Sequence, residues 1–106
     1  MQVLFDQGTP APLRQFLSTH QVSTAYERGW STLKNGELLQ AAELAGFAVL
    51  VTTDTNLKYQ QNLASREISI VVLSTTSWPR IKAHVEPIAI AVGAAVRGSY
   101  TEVRIP

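Results

Sequence analysis

Two apolar stretches of this chain end in an aspartate. Near the start, "VLFD" (3–6) delivers Asp6; in the middle, "VLVTTD" (49–54) delivers Asp54, with the small polar Asn56 two positions on. A third acid, Glu37, opens a helical segment that feeds the second stretch. If the strands run parallel, Asp6 and Asp54 share the carboxyl edge of one sheet, and a helix crossing back to the second strand begins at that same edge. Ligands of open α/β sheets bind there, where strand order reverses. Three carboxylates drawn to one spot repel one another unless a cation joins them. Oxygen donors alone suit Mg2+ or Mn2+, hard ions that keep several waters. Each acid also has a local reading: Asp6 a turn at a strand end, Glu37 a favourable charge on a helix dipole, Asp54 a helix cap.

The elements that must position these residues follow from periodicity. Residues 2–6 read as a strand, "GTPAP" as a turn, and 12–18 as a short helix with Leu13, Phe16 and Leu17 on one side. Val22, Thr24 and Tyr26 alternate in a strand over 21–29. Asn35 is placed to cap a helix over 36–46, whose inward face is Leu38, Ala41, Ala42 and Ala45 and whose end is Gly46. "FAVLVTT" (47–53) is the most apolar strand, hence central and covered on both faces. A helix over 56–64, a strand over 68–74, a helix over 76–98 with Ser77 as cap and Pro79 in its first turn, and an edge strand over 99–105 complete the chain. Pro87 should kink or break the long helix. Alternating strands and helices predict an α/β fold, a three-layer arrangement with a mainly parallel sheet of four to five strands. No repeat or linker divides it, so one domain over residues 1–106 is expected.

Bulk properties narrow the functional classes. The 106 residues include no cysteine, which excludes disulfides, thiolate metal sites and a cysteine nucleophile. His20 and His84 match no zinc spacing and are read as surface residues. No "GxSxG" elbow, phosphate loop or dinucleotide fingerprint occurs. The start has no signal-peptide pattern, and the longest apolar run, 88–96, is too short for a membrane span, so a cytoplasmic protein with no membrane partner is expected.

"VLFDQGTP" resembles the "LLDENLP" opening of the small PIN-like domains, and "LKNGELLQAAELAGFAVLVTTDTNL" resembles their acidic helix and "VLVTxDxDF" segment. The likeness runs over residues 2–74 and is nearest to the branch regarded as toxins of toxin–antitoxin pairs. It implies an Mg2+- or Mn2+-dependent ribonuclease in which Asp6, Glu37 and Asp54 hold the ion, with Asn56 assisting. An antitoxin protein is then an expected partner. The sequence departs from the family at three places. Gln7 stands where a glutamate is usual, Asn56 where a further aspartate is common, and Asn35 where aspartate often precedes the acidic helix. Fewer charged ligands weaken a hard-ion site and favour one ion over two. A rival reading follows: a PIN-like module with impaired catalysis that binds RNA or a protein.

Setting aside the three acids leaves five acidic against nine basic side chains, a balance that fits a phosphate-rich substrate. Lys34 and Lys58 flank the acids in sequence, and Arg14 follows Asp6; each is either a phosphate ligand or ordinary surface charge. "NLKYQQN" (56–62) offers Tyr59 for base stacking and Gln60 or Gln61 for base edges. Trp30 invites stacking too, or closes the core. Finally, "EPIAIAVGAAVRG" (86–98) is apolar nearly all round, which predicts burial on most sides, through the sheet or through a homodimer or antitoxin contact.

Overall fold

Unbroken β-branched and leucine runs make the two most buried strands: Val49–Thr52 (β3) and Ser69–Leu73 (β4) have every residue buried. Gln2–Phe5 (β1), Gln21–Thr24 (β2) and Tyr100–Val103 (β5) complete a five-stranded sheet in the order β2-β1-β3-β4-β5. All four pairings are parallel, with Val3 opposite Val49 and Val51 opposite Val71. The structure, a computed structural model, describes residues 1–60, 62–63 and 65–106, excluding the side chains of Asn35 and Gln60. Expectations for Gln60 and Gln61 at base edges, and for an Asn35 cap side chain, lie outside the described residues.

Strand alternation sorts the core into two layers. Val3, Phe5, Val49, Val51, Val71, Leu73 and Val103 face a 3-10 helix (Ala11–Phe16) and two helices, Trp78–Lys82 (α3) and Val85–Gly93 (α4). Leu4, Leu50, Ile70 and Val72 face Asn35–Leu44 (α1) and the single turn Leu57–Gln60 (α2). The sheet is thus covered on both faces and β3 is central. The last three crossovers advance in one direction along the sheet. Those through α1 and α2 lie on one face and that through α3 and α4 on the other, so the last has the opposite hand, a rare arrangement in parallel sheets.

Several boundaries differ from the sequence expectation for identifiable reasons. β2 stops at Thr24 because Thr24 and Glu27 form a reciprocal box: the Thr24 N–H donates to the Glu27 carboxylate (2.9 Å) and the Glu27 N–H to the Thr24 hydroxyl (3.1 Å). Tyr26 therefore lies beyond the strand, 76 % exposed. Helix α1 has Lys34 as its N-cap residue. It ends in a Schellman motif in which the Phe47 N–H donates to the Ala42 carbonyl and Gly46 adopts φ +85°, a conformation that glycine takes without a Cβ penalty. Its buried face is Leu38, Leu39 and Ala42, with Ala41 and Ala45 only partly covered.

The helix expected over 56–64 is the single turn of α2; Asn62 and Leu63 lie outside it. The long C-terminal helix breaks at Ala83–His84, upstream of Pro87. The break falls there because the proline ring has no N–H for the Ala83 carbonyl four residues back, and Pro87 is tolerated in the first turn of α4. Ser77 is the N-cap position of α3 and Pro79 sits in its first turn, as expected. Helix α4 is not buried all round: Ile88 and Val92 are fully buried, whereas Ile90 is 62 % exposed and Val96, just beyond, 67 %. No helix among the described residues is long and apolar enough to cross a membrane.

Candidate functional site

Strand order reverses between β1, which is followed outward by β2, and β3, which is followed the other way by β4. At the carboxyl ends of these neighbours lies a cavity of about 200 Å³ lined by Asp6, Gln7, Lys34, Thr52 and Asp54, with a floor that includes Leu38, Leu39, Leu50 and Leu57. The two aspartates thus line one cavity at the carboxyl edge, and Lys34 lines it with them.

Asp6 is held from two directions. Its backbone N–H donates to the Val51 carbonyl (3.1 Å), extending the β1–β3 ladder past the end of β1, and its own carbonyl accepts the Thr9 N–H (3.2 Å). The carboxylate accepts the Thr52 hydroxyl on Oδ2. Oδ1 lies 2.7 Å from the Thr9 hydroxyl, which is also 2.9 Å from the Val51 carbonyl and gives its single proton to one of them at a time. Gly8 lies in the turn between Asp6 and Thr9, where an added Cβ would come within 2.5 Å of Thr53 Oγ1 and force that side chain to shift.

Asp54 is reached through the same hydroxyl. Thr52, 1 % exposed, accepts the Asp54 backbone N–H (3.0 Å) while donating to Asp6, so one buried hydroxyl joins the two acidic residues in a polarised chain. Asp54 Oδ1 accepts the Asn56 N–H (3.0 Å), an Asx turn that precedes α2. Thr9 and Thr52 are the site residues that sequence reasoning missed. Their signal is local: a threonine three residues after one acid and another two residues before the other.

The third acid does not join them. Glu37 sits in the first turn of α1, its N–H donating to the Lys34 carbonyl, and does not line the cavity. Among the described residues, no three His, Cys, Asp or Glu side chains group closely enough to hold a metal ion. The expected convergence of three carboxylates is thus corrected to two, and Glu37 takes the helix-dipole position. Two carboxylates still fit one hard ion of the Mg2+ type, which commonly takes one or two and keeps water elsewhere.

The other candidates lie elsewhere. Asn56 is exposed and serves Asp54 through its backbone, not the cavity through its amide. Lys58 pairs with Glu102 of β5 at 2.9 Å and lies near the rings of Tyr59 and Tyr100. That hydrogen bond, outweighing partial burial, raises the lysine pKa. Arg14 pairs with Glu27, whose carboxyl it pulls down to about 2 with help from the Thr24 N–H. Tyr59 is 76 % exposed and does not line the cavity.

Trp30 closes the core, edge-on to Phe47 with Arg28 over its ring at 4.9 Å. The two histidines are half-buried rather than fully exposed, and His20 Nδ1 is buried with no hydrogen-bond partner among the described residues. Compared with protein-family models, curated proteins and solved structures, the chain matches none.

Proposed function

We propose that the chain is a PIN-like, metal-dependent ribonuclease whose site is the cavity between β1 and β3, acting as the toxin of a toxin–antitoxin pair. The observation that carries this reading is that Asp6 and Asp54, from adjacent parallel strands, line one cavity with Lys34. Asp6 and Asp54 would hold a single Mg2+ or Mn2+, which supplies Lewis acidity and an activated water for phosphodiester hydrolysis. Thr52 fixes the orientation of Asp6 and the backbone of Asp54 together. Lys34 offers its ammonium to a phosphate at the cavity mouth. The leucine floor keeps bulk water from one side of the site and strengthens each charge interaction there.

A second reading has its own support. With Gln7 and Asn56 in place of acids and Glu37 outside the cavity, the site carries two carboxylates, which favours a PIN-like module that binds RNA or a protein without cleaving. Cleavage of labelled single-stranded RNA with Mn2+, Mg2+ or EDTA separates the two, with folded Asp6→Asn and Asp54→Asn proteins alongside. The nuclease reading requires metal-dependent cleavage that both substitutions abolish. Equal background from all three proteins removes it in favour of the binding module.

A further inference from the structure

Asp6 and Gln7 also line a second hollow, of about 500 Å³, together with Gly8 and Thr9 of the same turn. Tyr26 and Trp78 contribute its aromatic surfaces, and Thr24 and Thr76 its hydroxyl-bearing ones. Trp78 is held in place by Phe16, at 6.1 Å between ring centroids. Tyr26 stands 76 % exposed because the Thr24–Glu27 box turns the chain out of β2 just before it. This hollow shares Asp6 and Gln7 with the Asp6–Asp54 cavity, and Thr24 and Tyr26 with a third hollow lined also by Arg14. The three hollows thus share lining residues at the carboxyl edge of the sheet, with two acids and a lysine lining the first and aromatic rings the second.

We propose that the Tyr26–Trp78 hollow is a nucleobase subsite, taking an unpaired base of the RNA strand whose phosphate lies at the Asp6–Asp54 cavity. Its chemistry suits a base better than a phosphate: two aromatic residues, threonine hydroxyls, the Gln7 amide and the acidic Asp6, with no basic residue in the lining. A glutamine amide presents one donor and one acceptor, the pattern that pairs with a base edge. Unpaired bases are stacked on aromatic side chains and read at their edges in this way. Gln7 thereby acquires a use in the residue that departs from the family pattern. The inference rests on the reading that RNA crosses this edge, and it does not require that the RNA be cut.

The test uses the full chain in EDTA, where hydrolysis is silent. Trp30 and Trp78 are the only tryptophans, so Trp30→Phe leaves Trp78 as the sole indole reporter. A short oligouridylate should quench Trp78 emission, and tripolyphosphate should not. Tyr26→Ala, at an exposed position, should weaken oligouridylate binding about tenfold, as loss of one stacked base does. Anisotropy of a labelled oligouridylate measures the same Tyr26→Ala effect in the wild-type background, should Trp30→Phe disturb folding. Absence of binding, or an affinity indifferent to Tyr26→Ala, overturns the subsite. Metal-dependent cleavage indifferent to Tyr26→Ala would overturn the subsite and leave the nuclease reading standing. Quenching without cleavage in any metal would do the reverse.

Discussion

Glu43 and Glu67 at the amino edge of the sheet and Asp6 and Asp54 at its carboxyl edge are treated in opposite ways. At the amino edge, beside a hollow of about 380 Å³, Glu43 accepts the Arg66 guanidinium (2.6 Å) and the Glu67 N–H (2.8 Å), while Glu67 pairs with Arg97. At the carboxyl edge, Asp6 is met by threonine hydroxyls and Asp54 by a backbone N–H, and no ion pair among the described residues involves either. Neutral donors orient a carboxylate without cancelling its charge, whereas a guanidinium does both. Glu43 and Glu67 are therefore neutralised within the fold, whereas Asp6 and Asp54 are left without an ion pair among the described residues, as the proposed ion site requires.

The largest test of that contrast is a cation. On the proposed reading, Mn2+ at a hundredfold excess over its Kd should stabilise the protein by about 2.7 kcal/mol. Urea unfolding should show that gain in the wild type and in Glu43→Gln, and not in Asp6→Asn. An equal gain in all three would erase the distinction between the edges.

Next in size is Glu43→Gln, expected to cost about 2 kcal/mol in urea unfolding by removing a charged acceptor from Arg66 and the 67–68 backbone. Burial pushes the Glu43 pKa up, but the bonds from Arg66, Glu67 and Ile68 outweigh it and the net shift is downward. A carboxyl lowered in the folded state contributes stability that is full above its unfolded pKa, about 4.3, and lost as pH falls through the folded value. Wild type and Glu43→Gln should therefore converge in stability under acid and diverge above that range.

How far the chain disclosed this arrangement depended on where each cause lies along it. Residues 49–52 and 69–73 announce buried parallel strands because their apolar runs are themselves the cause of burial. Gly46 and Pro79 act within one turn and were read from neighbours alone. Pro87 divides the long helix as its residue type predicts, and the division falls upstream because the missing hydrogen bond belongs to the carbonyl four residues back. Asp6 and Asp54 were legible as strand ends. Glu37 and Lys58 were misplaced by proximity in sequence, since helix rotation carries the first away from the cavity and Glu102, 44 residues on, captures the second. Thr52 needs the β1–β3 pairing to be recognised at all.

Two smaller effects sharpen the contrast further. Thr52→Val keeps the shape and removes the hydroxyl that joins Asp6 to Asp54, at about 1 kcal/mol. Hydrogen exchange of the Asp54 amide should quicken with it; an unchanged amide would mean that the bond to Thr52 is not what protects it. Smallest of all is Arg14→Ala, whose readout is a titration curve. Glu27 should titrate near 2 in the wild type and return toward ordinary glutamate values in the variant when followed by NMR. A wild-type midpoint already at ordinary values would show that the exposed pair is not held in solution.

The hydroxyl that ties Thr52 to Asp6 spans 46 residues of chain, with β2 and α1 in between. Contacts of such sequence separation form only after a large loop has closed, so their loop entropy is met late in folding. During synthesis, β1 can meet β2 while the cavity has only one wall, and the second acid arrives with β3. A ligand of the finished cavity thus favours the completed central sheet over any shorter folded intermediate. Its effect should register as slower global unfolding, seen in the exchange of β1 and β3 amides together, rather than as the quieting of one loop.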